Sequence, residues 1–241
     1  GMRNWELGVI YNLIMKIGII VAMDKEMNLL LPHVADVSTV TANGFEFHTG
    51  LMAGHKVVVC KCGIGKVNAA VGALTLIDTF HPDMVVNTGV AGGTGAGTPP
   101  AQVLDLVLAS EVAYHDVWCG PGTVRGQAAG YPERFQCPLS ADARAALGAR
   151  EGLLASGDIF VDDPADLRRI LELYPDAVAV DMESAAIAQV CALKCVPFVC
   201  LRVVSDTPGA EGNAAAYSDF WTAAPERTFA SVEKLLGLIP A

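Results

Sequence analysis

The sequence predicts an α/β fold: a single domain in which helices flank a central mixed β-sheet. Short runs rich in β-branched residues alternate with helical patterns along the whole chain. An early pair of strands is separated by a short turn, as in an antiparallel hairpin, and this makes the sheet mixed. With 241 residues, 52% of them hydrophobic and 17% charged, the chain is long enough and apolar enough for one buried core.

The first half of the chain predicts four strands and two helices. "KIGIIVAM" is a buried strand, because its apolar run is β-branched and short. "KVNAAVGALTLIDTF" is helical and ends at His81-Pro82, where proline stops a helix. The predicted strands are 15–22, 44–50, 55–61 and 84–93, and the predicted helices are 24–32 and 66–80.

The second half continues the alternation after one irregular stretch. Residues 117–138 combine glycine, proline and aromatic residues and are therefore predicted to be a loop. The predicted strands are 102–116, 153–160, 177–181 and 196–206, and the predicted helices are 140–149, 164–173, 183–194 and 217–237. The domain is expected to span residues 15–241, preceded by a tag residue, Gly1, and an N-terminal extension up to residue 14.

The overall charge excludes several classes of partner. The chain has 16 basic and 26 acidic residues, a net charge of −10, which repels nucleic acids and anionic membrane surfaces. Its seven cysteines lack the paired spacing of a zinc site, so no metal is expected. Reduced cysteines used as small core residues are typical of a cytoplasmic protein.

Three acids stand where predicted strands give way to helices or turns. Glu26 follows the first strand, Glu183 follows "AVDM", and Asp206 ends "RVVSD". Each alone is explained by a structural role, because acids stabilise helix N-termini and turns. In a sheet of this class, however, ligands bind at the carboxyl ends of strands, and three carboxylates gathered at one rim repel one another. Together they indicate a shared site.

The glycine-rich segments do not fit the two common phosphate-binding motifs. "GGTGAGT" has Thr98 where the third glycine of a dinucleotide motif belongs. "CKCGIGKV" has Cys60 in place of the first glycine of a P-loop and Val67 in place of its serine or threonine. The sequence therefore indicates that Gly92 and Gly93 let the backbone approach a flat ligand closely.

Seven segments, from about Met15 onward, resemble one enzyme family in order and spacing. These are "MKIGIIVAMDKEM", "KCGIGKVNAA", "NTGVAGG", "YHD", "SGDIFV", "AVDMESAAIAQVC" and "RVVSD". Together they are similar to the 5′-methylthioadenosine/S-adenosylhomocysteine nucleosidases of the purine nucleoside phosphorylase-like superfamily. The resemblance implies hydrolysis of these nucleosides without metal or cofactor. It also implies a homodimer, with loop 117–138 near the interface.

The resemblance also implies a role for each site residue. Glu26 activates the attacking water, Asp206 protonates the purine N7, and Glu183 holds the ribose hydroxyls. Met182 packs on the sugar and Phe160 stacks on the purine. The remaining implied substrate-binding residues are Val161, which contacts the purine edge through its backbone, Ser205, which supports Asp206, Val90, Ala91 and Gly92 of the glycine turn, and Met23, Ile64 and Tyr217 of the 5′-thio pocket.

Three departures from the family pattern bear on the activity. Val90 replaces a common serine, and Lys25 is the only cation expected near the glycine turn, which favours water over phosphate as nucleophile. Asp181 stands where glutamate is commoner, and an ion pair with Arg202 is the one role that the sequence offers for it. A futalosine-type nucleosidase, a nucleoside phosphorylase and a non-catalytic nucleoside-binding protein remain as alternatives.

Overall fold

The computed structural model describes residues 14–223 and 229–239, and in them ten strands form one sheet flanked by helices. The extension expected over residues 1–14 lies, except for Ile14, outside this range. The strands are β1 (Lys16–Val21), β2 (Ala35–Ala42), β3 (Phe45–Met52), β4 (His55–Lys61), β5 (Met84–Gly93), β6 (Leu106–Tyr114), β7 (Phe135–Gln136), β8 (Arg150–Ser156), β9 (Ala177–Asp181) and β10 (Phe198–Asp206). The helices are α1 (Asp24–Leu30), α2 (Lys66–Phe80), α3 (Ala141–Leu147), α4 (Pro164–Leu173), α5 (Ser184–Lys194), α6 (Asn213–Ala223) and α7 (Ala230–Leu238).

Strand β5 is the junction of the sheet. One edge of β5 pairs with β10. The other edge pairs in parallel with β1 as far as Asn87 and then antiparallel with β9 from Gly92. The path β5–β10–β6–β8–β9 returns to β5, while β4, β3 and β2 extend the sheet beyond β1. Parallel and antiparallel pairs coexist, which confirms the predicted mixed sheet.

The two faces of the sheet carry different helices, because side chains alternate along each strand. Ile17, Ile19 and Val21 of β1 lie in the same buried cluster as residues of α1 and α7. Ile20 lies in the opposite cluster with residues of α2 and α5. Gly18 also faces α2, because a Cβ built there would lie 2.5 Å from Leu76 Cδ2. Both faces of the central strands are therefore covered.

Three predictions about secondary structure were wrong. Residues 117–138, predicted to be a loop, include the short strand β7, which pairs with β6. The final helix, predicted over 217–237, is two helices, α6 and α7, and the sequence carries Pro225 between them, a residue that cannot continue a helical hydrogen-bond ladder. Strand β2 was not predicted, and seven of its eight residues are exposed. In the described ranges, no helix combines the length and apolarity needed to cross a bilayer.

Candidate active site

The carboxyl ends of β1, β5, β9 and β10 surround one pocket. Its empty space, open mouth included, is about 600 Å³, within the usual range for small-molecule sites. All thirteen residues named from the sequence line it: Met23, Glu26, Ile64, Val90, Ala91, Gly92, Phe160, Val161, Met182, Glu183, Ser205, Asp206 and Tyr217. Five further residues line the pocket and were not predicted from the sequence: Ala22, Ile159, Val180, Asp181 and Pro208. The three acids are thus brought to one site.

Glu26 is fixed by backbone donors on two strand ends. Its Oε2 accepts hydrogen bonds from the N–H groups of Ala22 (2.8 Å) and Met23 (3.0 Å). Its Oε1 accepts one from the N–H of Val90 (3.0 Å). On the edge opposite β10, β5 pairs with β1 up to Asn87 and with β9 from Gly92. Val90 lies between the two paired segments, so its N–H is available to a side chain. Burial raises the pKa of Glu26, while the Arg202 charge and these hydrogen bonds oppose the rise.

Glu183 occupies the N-cap position of α5 and is almost fully buried. Its Oε1 accepts a hydrogen bond from the N–H of Gly65 at 2.9 Å, and its Oε2 lies 3.8 Å from Nη2 of Arg202. Burial first, and then the neighbouring Asp181 charge, raises the pKa of Glu183 to about 7. Because Oε1 accepts one hydrogen bond and Arg202 lies beyond hydrogen-bond distance of Oε2, Glu183 has acceptor capacity left for the hydroxyl groups of a ligand.

Asp206 ends β10 and lies across the pocket. Its Oδ1 accepts a hydrogen bond from Ser205 Oγ at 2.6 Å. Burial raises the pKa of Asp206, and the Ser205 hydrogen bond opposes this effect. A carboxyl group that keeps its proton at higher pH than usual is suited to act as a general acid.

The mouth of the pocket is aromatic and partly open to solvent. The Phe160 and Tyr217 rings meet edge to face with centroids 5.4 Å apart, and the Tyr217 hydroxyl donates to Met23 Sδ at 3.5 Å. Phe160 is 46% exposed and Ile64 is 50% exposed. A ring left half exposed in a concave site offers a surface on which a flat heterocycle can stack.

A buried arginine, Arg202, lies beside the acids of the site. The expectation that Lys25 is the only nearby cation was therefore wrong. Arg202 is 1% exposed, and its Nη2 donates to Asp181 Oδ2 and, at 2.6 Å, to Asn87 Oδ1. The expected ion pair between Asp181 and Arg202 is therefore present. Lys25 instead lies over the ring of Trp221, 5.3 Å from its centroid.

Comparison with known proteins shows the family to which the chain belongs. The sequence profile of the phosphorylase superfamily matches residues 16–237. The 5′-methylthioadenosine/S-adenosylhomocysteine nucleosidase of Geobacillus thermodenitrificans is 42% identical over 219 residues, which cover 87% of this chain and 92% of that protein.

Solved structures are similar over almost the full length. The S-adenosylhomocysteine nucleosidase of Streptococcus pyogenes, in complex with 5-methylthiotubericidin, has a TM-score of 0.86 and 31% identity. The match covers 95% of this chain and 98% of that one. The futalosine hydrolase of Helicobacter pylori has a TM-score of 0.82 and 25% identity, covering 92% and 97% of the two chains. The chain therefore belongs to the phosphorylase superfamily and, within it, to the family of 5′-methylthioadenosine/S-adenosylhomocysteine nucleosidases.

Proposed function

We propose that this chain hydrolyses the N-glycosidic bond of 5′-methylthioadenosine and S-adenosylhomocysteine, releasing adenine and the 5′-thio-ribose. The single observation that carries the proposal is the convergence of Glu26, Glu183 and Asp206, distant in sequence, on one pocket. The family to which the chain belongs supports the choice of substrates.

The three acids divide the reaction between them. The purine stacks on Phe160, and Asp206 gives a proton to N7, so that adenine leaves as a neutral molecule when the bond from N9 to C1′ breaks. The sugar passes through an oxocarbenium-like state. Glu26 takes a proton from a water molecule while the oxygen of that water bonds to C1′. Glu183 accepts hydrogen bonds from the ribose hydroxyls, and these strengthen as positive charge develops on the ring.

Smaller contacts orient the nucleoside. In the proposed complex, Met182 packs against the sugar, Val161 contacts the purine edge through its backbone, and Ser205 orients Asp206. Met23, Ile64 and Tyr217 surround the 5′-thio group, and the small turn residues Val90, Ala91 and Gly92 allow close approach to the sugar. Water and substrate supply every atom of the reaction, so it requires no cofactor.

The electrostatics favour water over phosphate as nucleophile. Glu26, Asp181 and Glu183 line the part of the pocket to which the proposal assigns the sugar, and their negative charge disfavours a phosphate dianion there. Val90 presents no side-chain donor, and the Nη2 of Arg202 is already held by Asp181 and Asn87. These contacts favour a hydrolase over a phosphorylase.

We expect adenine release from 5′-methylthioadenosine at the same rate with and without phosphate. The measurement follows free adenine by chromatography, with S-adenosylhomocysteine and a futalosine-type nucleoside as parallel substrates. Turnover that requires phosphate would identify a phosphorylase, and preference for the futalosine-type compound would identify the other nucleosidase. Tight binding without release of any base would identify a binding protein.

We further propose a homodimer that buries one face of α2 and α5. These helices pack side by side, and they expose Val67 (74%), Val71 (49%) and Leu193 (61%). Exposed apolar patches of this kind mark interfaces. Tyr131, from loop 117–138, lines a groove with Val67 and Leu193, which supports a position for that loop near the interface.

Sedimentation should therefore show a dimer, and Val71→Asp should shift it toward monomer because a buried charge opposes association. Val40→Asp is the matched control, since Val40 is similarly exposed (43%) but lies on β2. A monomeric wild-type chain, or equal effects of the two substitutions, would contradict the proposed interface.

The enzyme is proposed to be cytoplasmic. All seven cysteines fall in the described ranges and are free thiols, which supports a reducing compartment.

A further inference from the structure

Asp181 is a buried acid at the site that has no part in the reaction described above. Its side chain is 1% exposed. The N–H of Ser184 donates to its Oδ2 at 3.2 Å, and the Ser184 hydroxyl donates to its Oδ1 at 2.8 Å. These two bonds fix the carboxylate at the start of α5, so that Oδ2 faces the guanidinium of Arg202.

Arg202 has two carboxylates within reach of the same nitrogen. Its Nη2 bonds directly to Asp181, whereas Oε2 of Glu183 lies 3.8 Å away, beyond hydrogen-bond distance. A buried guanidinium that loses one partner will recruit another, because an unpaired charge is costly in the interior. Glu183 is the nearest available replacement.

We propose that Asp181 is a positioning residue that holds Arg202 away from Glu183, leaving Glu183 free to accept the ribose hydroxyls. The inference rests on the proposed function, because it assigns Glu183 to the sugar. Asn87 supports the same arrangement from the other side, since its Oδ1 accepts from Nη2 of Arg202 and its Nδ2 donates to the carbonyl of Ile20 at 3.0 Å.

The position of Arg202 also affects the other end of the site. A Cβ built on Gly89 would lie 2.5 Å from Nη1 of Arg202 and 2.3 Å from Oε1 of Glu26, so both charged groups approach this glycine closely. Asp181 and Asn87 hold Nη2 while Nη1 stays beside Glu26. Movement of the guanidinium toward Glu183 would therefore alter both carboxylates at once.

Asp181→Asn tests the proposal, because it keeps the shape and removes the charge that retains Arg202. We expect KM for 5′-methylthioadenosine to rise about 10- to 100-fold, as for loss of a charged hydrogen bond to the ribose. Affinity for a non-hydrolysable methylthio-nucleoside should fall by the same factor. Affinity for adenine alone should not change, because adenine occupies only the side of Phe160 and Asp206.

Three further variants separate positioning from folding. Asp181→Glu keeps the charge and should restore nucleoside affinity to within a few-fold of the wild type. Ser184→Ala removes the bond that orients Asp181 and should weaken nucleoside binding in the same direction but less, which tests the proposal even if Asp181→Asn does not fold. Ser156→Ala is the matched control and should leave nucleoside affinity unchanged. Ser156 is as fully buried as Ser184, and it lies opposite Asp181 in the register of β8 and β9.

Unchanged nucleoside affinity in folded Asp181→Asn, or in Ser184→Ala if Asp181→Asn does not fold, would overturn the proposal. A parallel loss of adenine and nucleoside affinity would also overturn it, because that is the signature of a damaged pocket. The proposed function fails separately, if the wild-type chain releases no adenine. In that case the comparison between nucleoside and free adenine binding still tests the positioning of Arg202.

Discussion

Glu26→Gln should lower the rate of adenine release by about 10²–10⁴-fold, the usual contribution of a general base, while the nucleoside still binds. Glutamine has the size of glutamate but cannot take a proton from water. The substitution also places an amide nitrogen against N–H donors, since Ala22, Met23 and Val90 all donate to this side chain. A loss of about 1–3 kcal/mol in the free energy of unfolding is therefore expected as well.

Two measurements separate these effects. Single-turnover kinetics at saturating substrate report the chemical step, and thermal melting reports stability. Asp24→Asn is the matched control, because Asp24 is an exposed acid on the same helix that pairs with Lys61. Near-normal single-turnover rates in a folded Glu26→Gln variant would remove Glu26 from the role of base.

The sequence predicts the strands that are buried on both faces far better than the exposed ones. Strands β1, β5 and β10 carry apolar, β-branched runs because helices cover both of their faces, and this signal is strong. Strand β2 has the sequence "ADVSTVTA" and is exposed at seven of its eight residues, so no apolar pattern distinguishes it from a loop. Its partner β3 holds it through backbone hydrogen bonds, which leave no trace in side-chain composition.

The acids at strand ends can be predicted from the sequence. A contact between residues of two different strands cannot, because it depends on how the strands are arranged in the sheet. Glu26 and Glu183 follow strands and Asp206 ends one, so the general rule for ligand sites in α/β sheets selects them. The contact of Glu26 with Val90 depends on the divergence of β1 and β9 along β5, which only the topology reveals.

The sequence predicts one of the neighbours of Arg202 but not the others. A charged residue in the otherwise apolar "VPFVCLRVV" must have a buried counter-charge, and Asp181 was the candidate. That the same guanidinium also approaches Glu26 and Glu183 required the packing of β5 against β10.

Asp206→Asn should lower turnover of 5′-methylthioadenosine by about 10²–10⁴-fold, because asparagine cannot protonate the departing purine. The loss should be much smaller for a 5-thio-riboside whose leaving group departs as a stable anion, since that substrate needs no proton. Asparagine can still accept the hydrogen bond from Ser205, so the pocket is expected to keep its shape.

The ratio of the two losses decides the role of Asp206. If Asp206 only binds the purine, Asp206→Asn should raise KM for adenine substrates and leave the rate of the chemical step unchanged. If Asp206 is the proton donor, the loss appears in single-turnover rates and depends on the leaving group. Asp219→Asn, the same change on exposed residue 219 of α6, controls for charge and should leave both substrates unaffected. Equal losses on the two substrates would show that the proton reaches the purine by another route.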